Sequence, residues 1–182
     1  MDRKEHASLL RITRKVHRWM GATLFVIFSI ISVSGLVLGW KKDASELIMP
    51  KTQRGTTSTS EKWLSMDTLA AISLKAISRE DPETNYSVDR MDVRMDRGIV
   101  KMLMVQKNQE VQLDCATGEV LSVGTRHSDW IEHVHDGSIM DNWLGISFFK
   151  LLYTSVAGLA LFLFTATGFW LWYGPKVMRR KN

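Results

Sequence analysis

Cysteine is nearly absent, and over two long stretches charge is absent altogether. The single Cys115 excludes an internal disulfide and offers no metal-ligand spacing, so it reads as a small residue at a turn. No glycine-rich loop follows a strand to receive a pyrophosphate, which leaves no nucleotide or flavin fingerprint. The middle of the chain has no nucleophile–base pair, paired-carboxylate site or His/Glu metal cluster, so no hydrolase is expected there.

No charged residue lies between Trp19 and Trp40, and none between Leu151 and Tyr173. Each run is long enough to cross a ~30 Å hydrocarbon core at about 1.5 Å rise per residue. Only a helix satisfies its own backbone polar groups in that setting, so both runs are expected to be transmembrane helices. The first is too long for a signal-peptide core and ends in Gly39-Trp40-Lys41-Lys42 without a small-x-small cleavage site. It reads as a retained anchor. Trp19 and Trp40, and Trp143, Trp170, Trp172 and Tyr173, mark the interfaces of the two spans.

Flanking charge sets the expected orientation. Six basic residues against two acids precede Trp19, and Lys176, Arg179, Arg180 and Lys181 follow Pro175 with no acid. Residues 41–146 hold 13 basic and 17 acidic side chains. The positive-inside bias puts both termini in the cytoplasm and the middle domain outside, although Lys41 and Lys42 oppose it. The net charge of +5 follows from anchoring to a lipid bilayer, and no nucleic-acid partner is implied.

The chain divides into a basic N-terminus with the first span (1–42), a linker (43–64), a middle domain (65–145), and the second span with a basic tail (146–182). The polar stretch 50–62 reads as a flexible tether. Ser65 is a candidate N-cap for a helix to about Ser78, with Leu69, Ile72, Ala76 and Ile77 on its apolar face. Met91, Val93 and Met95 alternate with charged residues, as in a half-buried strand whose charged face is solvated. Turns at Arg97-Gly98, Asn108 and Thr117-Gly118 separate three more strands, near 99–106, 110–114 and 119–123. A short helix over about 129–136 should stop at Gly137. The fold class is membrane α plus small α+β: two transmembrane helices flanking a helix packed on an antiparallel β meander.

Three stretches carry a family likeness. The first helix opens Lys15-Val16-His17-Arg18-Trp19-Met20-Gly21, Gln112 to Leu121 read QLDCATGEVL, and Ile131 to Ile139 read IEHVHDGSI ahead of a helix ending TATGFWLWY. In that order they resemble the PepSY-associated transmembrane-helix family of bacteria. The resemblance implies a multi-pass protein of the bacterial inner membrane with a periplasmic PepSY-like domain. Larger members have four or more helices, and some are di-haem ferric-siderophore reductases that ligate haem through membrane histidines. With two helices and no reductase module, this chain would depend on a separate electron donor.

On that resemblance, His17 and His135 are the candidate ligands of haem b iron, and His133 is a weaker third. On a helix His133 and His135 diverge by about 200°, so they would not share one metal. His17 and His135 belong to opposite membrane faces, about 30 Å apart, so one haem would need matching histidines from a homodimer. Small-residue stripes accompany them: Gly21, Ser32, Gly35 and Gly39 on the first helix, and Thr154, Gly158, Thr165 and Gly168 on the second. Such stripes serve ordinary helix packing as readily as a porphyrin. His6 and His127 read as solvated. The alternative reading is a non-catalytic anchor presenting a PepSY-like binding, inhibitory or assembly domain to a periplasmic partner.

Overall fold

The computed structural model describes residues 3–44 and 47–179, so Arg180 and Lys181 of the expected basic tail lie outside the described residues. Two long helices, α1 (Arg3–Gly39) and α5 (Phe149–Arg179), flank a four-stranded antiparallel sheet and three shorter helices. The chain forms two compact units, one of residues 1–36 and 133–182 and one of residues 37–132.

In the helical unit, α1 and α5 are each long and apolar enough to cross a membrane. Phe25, Val26, Val33, Leu159 and Phe162 project outward. Hydroxyls within the apolar runs return to their own helix: Thr23 donates to the Trp19 carbonyl and Thr165 to that of Leu161, each at 2.9 Å. This removes the cost of an unpaired polar group. The helices run antiparallel, with side chains of one lying over glycines of the other. Leu10 lies at Gly174, His17 at Gly168 and Phe164 at Gly21. Ahead of α5 lies α4 (Ser138–Leu144), which sequence reasoning did not anticipate. Its Asp141 accepts from the Phe149 and Lys150 amides at 2.8 and 3.0 Å, capping α5 with a negative charge where the helix dipole favours one.

In the sheet unit, α2 (Met66–Glu80) starts as expected, with the Thr68 amide donating to the Ser65 hydroxyl. The strands β1 (Val88–Arg94), β2 (Ile99–Met104), β3 (Gln109–Asp114) and β4 (Val120–Thr125) pair in sequence order. Register places Val100 opposite Leu113 and Met102 opposite Val111, so these apolar residues share one face. Leu69 and Ile77 of α2 join them in a core that also buries Cys115. Burial pushes the Cys115 thiol up to about 11, with Asp114 adding to the effect, so it remains a protonated core residue.

The opposite face is polar and yet buried, which the alternation alone did not reveal. Lys101, Glu110, Gln112 and Asp114 are all at most 2 % exposed. Residues 50–58, read from sequence as a flexible tether, lie across this face as a bonded strap. The Gln53 amide donates to Gln112 Oε1 at 2.9 Å, and Gln112 Nε2 donates back to the Lys51 carbonyl at 3.0 Å. The Thr56 amide donates to Asp114 Oδ2 at 2.8 Å, and the Gly55 amide to the Arg97 carbonyl. Gly98, left-handed at φ 65°, lies directly beneath Thr57, where a side chain would meet the strap backbone.

Asp114 also folds the turn behind it, its Oδ1 accepting from the Ala116 amide at 2.8 Å while Gly118 adopts φ 74°. The stretch from Asp114 to Gly118 is thus a structural turn that doubles as the strap's anchor.

Two outcomes follow for stability. Glu110 is held by Lys101, Gln112 and Arg126, so Glu110→Ala would leave Lys101 buried without its carboxylate. Chemical denaturation should register a loss of about 3–5 kcal/mol. Burial alone would raise the Asp114 carboxyl, but the Ala116 and Thr56 amides outweigh it and hold it below its ordinary value. The resulting stability is fully present above the unfolded-state value and is lost as pH falls through the depressed one. Asp114→Ala should lower stability by about 1–3 kcal/mol at neutral pH and flatten the acid branch of a melting-temperature profile.

Candidate functional site

The helical unit holds four of the five histidines, and three are oriented in the same way. His135 is the penultimate residue of α3 (His127–Asp136), which begins two residues earlier than expected from sequence. Gly137 then turns the chain at φ 79°, with Tyr153 packed so closely that an added Cβ would stand 2.7 Å from its ring. Asp136 pairs with Lys150 and accepts from the Ser138 amide and hydroxyl. Burial works to raise the Asp136 carboxyl, but Lys150 and Ser138 prevail and keep it below its usual value. Lys150 is therefore tied to the turn that presents His135.

The His135 ring lies between helices, its Nδ1 2.9 Å from the Ser34 hydroxyl. Ser34 has one proton, and it is directed at the Ile30 carbonyl at 2.6 Å. The hydroxyl oxygen therefore accepts, and His135 donates from Nδ1. The neutral ring then carries its lone pair on Nε2. The Cε1 corner rests over Gly35, 3.2 Å from where a Cβ would be. Beside the ring is an open groove of about 220 Å³ bordered by Phe28, Ser32, Tyr153, Ala157 and Gly158. A Cβ added at Gly158 meets nothing within 4 Å, so the small-residue stripe leaves space there.

His17 repeats the arrangement on the other side of the helix pair. Its Nδ1 is 2.9 Å from Thr167 Oγ1, and that hydroxyl gives its proton to the Leu163 carbonyl at 2.7 Å. His17 therefore also donates from Nδ1 and keeps the lone pair on Nε2. Phe164 stacks on the ring at 4.0 Å, and Gly168 lies against Cε1.

His133 Nδ1 is 2.7 Å from the Ser138 hydroxyl, whose proton goes to Asp136. That places it in the α3–α4 turn and outside the groove that His135 borders. The three predicted histidines do not converge. Along α1, His17 and the Ser34 partner of His135 are 17 residues apart, or about 26 Å.

A matching profile for the PepSY-associated TM region covers residues 14–181. The chain belongs to that family. No curated protein and no solved structure matches it. Family membership, together with the two long apolar helices, makes this PepSY-associated chain a membrane protein with its helices in a lipid bilayer. Among its described residues, no three His, Cys, Asp or Glu side chains are grouped to hold a metal ion.

Sequence reasoning missed His6. Expected to be solvated, it is 9 % exposed and tilted against Trp170 at 5.7 Å. His6 Nε2 and Trp170 Nε1 are buried without a hydrogen-bond partner. The signal available was spacing, since His6 precedes His17 by 11 residues and so falls within about 20° of the same helix face.

The tautomer assignment is directly measurable. In ¹⁵N-histidine spectra of the detergent-solubilised protein, His135 should show Nδ1 protonated and Nε2 bare. Ser34→Ala should abolish that preference while leaving the His17 signal unchanged.

Proposed function

We propose that the chain is a haem-binding, electron-transfer subunit of the bacterial inner membrane, acting as a homodimer or with a membrane partner. The observation that carries this reading is His135, whose Nδ1 is engaged by the Ser34 hydroxyl and whose ring borders an open, largely apolar groove, so that Nε2 is the nitrogen left for a ligand. Iron takes neutral imidazole, and a hydrogen bond from the other ring nitrogen fixes the tautomer and raises ligand basicity.

The residues fit a b-type haem in donor type, and the groove beside His135 would form one wall of its site. Ser32, Ala157 and Gly158 keep a slot open beside His135, between Phe28, Ile31, Tyr153 and Leu161 and with Asp136 at its edge. At about 220 Å³ the slot falls below the roughly 300–1,000 Å³ of complete ligand pockets, so a second chain would supply the facing wall and ligand. A symmetry-related His135 would give bis-imidazole ligation at one membrane face, and His17 with its mate would do so at the other.

When bound, haem supplies one-electron chemistry. The chain's own residues set its surroundings. Ser34 and Thr167 hold the rings, Gly35 and Gly168 let them lie close to helix backbone, and the apolar helices exclude water. Phe28 borders the groove and meets Phe164 edge-on at 6.0 Å, and Phe164 stacks on His17. A line of aromatic rings thus runs from one histidine toward the other site.

The excess of basic residues flanking the two spans supports cytoplasmic termini and a periplasmic sheet domain. In that orientation electrons would pass outward, for example to a periplasmic ferric complex, from a donor supplied by another protein.

Protein purified in detergent after expression with ample haem should show a Soret band. His135→Ala should remove a large share of it, and His17→Ala a separate share. Ser34→Ala should weaken haem retention by roughly 10- to 100-fold. A colourless protein, or unchanged haem content in both histidine variants, would sink the reading.

A further inference from the structure

The sheet unit contains a second concavity, unrelated to the histidines, of about 600 Å³. Its floor is built by buried residues. Lys101 is 2 % exposed and paired with Glu110 at 3.2 Å, and Arg126 is bonded to Glu110 and to Asp129. These floor charges balance one another. The strap forms one wall, with Pro50 fixed against Gly124 at a spacing that leaves no room for a side chain there.

The rim does not balance. Arg94 is paired with Asp92 at 2.8 Å, Arg97 approaches Asp96 at 3.8 Å, and Lys41 approaches Glu132 at 3.8 Å. Lys42 and Lys51 also border the groove, and among the described residues no carboxylate pairs with either. The result is a concave site with surplus positive charge, a fixed wall and a rigid charged floor. Such clefts focus the field of their charges and favour anions.

Position in the chain adds to this. Lys41 and Lys42 directly follow the apolar run that ends at Trp40, so that part of the rim emerges at headgroup depth. These are the two basic residues that oppose the orientation rule, and the groove gives them a use. Lysine provides compact, mobile ammonium donors, suited to a phosphate oxyanion, and the paired Arg94 and Arg97 add positive charge beside them.

We propose that this groove binds a phosphate-type oxyanion, either the headgroup of an anionic phospholipid or free phosphate. The site is independent of haem and stands or falls separately from it. The test uses the full chain in neutral maltoside detergent and in nanodiscs. In one arm, inorganic phosphate is titrated against chloride at matched ionic strength. In the other, phosphatidylglycerol nanodiscs are compared with phosphatidylcholine nanodiscs, reading melting temperature and lipids retained in native mass spectra.

Saturable stabilisation or retention is expected in at least one arm. Phosphate binding in detergent identifies a soluble anion, and retention of phosphatidylglycerol alone identifies a lipid. The double variant Lys42→Gln/Lys51→Gln should weaken binding at least tenfold while leaving the ligand-free melting temperature nearly unchanged, because both side chains are exposed. Lys42→Arg/Lys51→Arg should retain it. No saturable effect in either arm, or equal binding by the Gln double variant, overturns the proposal.

Discussion

The sheet domain is organised around one buried carboxylate. Glu110 is fully removed from solvent, a position that costs several kcal/mol unless every oxygen is occupied by donors. Lys101 comes from the paired strand, Gln112 from two residues along the same strand, and Arg126 from the segment leading into α3. Each donor is thereby aimed for a second task. Gln112, with its amide nitrogen turned to Glu110 and Lys51, presents its oxygen to the Gln53 amide and holds the strap. Arg126, turned to Glu110, also grips Asp129 in the first turn of α3. The polar face of the sheet can therefore be buried without an apolar layer, because its charges satisfy one another and the strap backbone.

The helical unit obeys a different constraint, the single proton of a hydroxyl group. In an apolar run Ser34 and Thr167 give that proton to a carbonyl of their own helix. Their oxygens are left able only to accept, so any imidazole that meets them must donate. Ser138 reaches the same condition by donating to Asp136. Three histidines thus meet three hydroxyls through Nδ1 in the same way, and among the described residues no carboxylate is paired with these rings. For His17 and His135 the arrangement follows from hydroxyls bonded within their own helix, whereas for His133 it depends on the Asp136 carboxylate.

Much of this architecture was legible in the sequence. Two uncharged runs announced α1 and α5, Ser65 announced the start of α2, and Gly98, Asn108 and Gly118 marked the three hairpin turns. Apolar alternation was less reliable: Val93 packs against the core, but Met91 and Met95 are 40 % and 54 % exposed, and Met95 lies past the end of β1. The strap was not legible, because a stretch of Thr, Ser and Lys has no pattern of its own. Its order comes from side chains 45 to 61 residues away in sequence. The charged alternation of β1 was correctly read as a solvated face, but the same polar face is buried one strand further in. Ser34 and Thr167 were invisible for a related reason: within an apolar helix a hydroxyl residue looks like tolerated packing, and its histidine lies 101 or 150 residues distant. His6 looked solvated because its neighbours are charged, although helix spacing put it on the inward face.

The glycine stripes bear on how the long helices approach each other. A small-xxx-small pattern is ordinarily taken to bring two backbones together. Along α1 and α5 it does something else, since the space over four of the six glycines is taken by a ring or a branched side chain from the other elements of the unit. Gly21 receives Phe164, Gly35 receives His135, Gly168 receives His17 and Gly174 receives Leu10. The helices are consequently held apart by the width of those groups, and two glycines on the same stripes, Gly39 and Gly158, receive nothing. A straight helix drifts about 20° per heptad from a 3.5-residue stripe, so a continuous row of contacts over the whole span would require supercoiling. At Gly158 the open position coincides with the groove beside His135. The seats that are filled orient the imidazoles, and the seat left open leaves free space beside the oriented His135 ring.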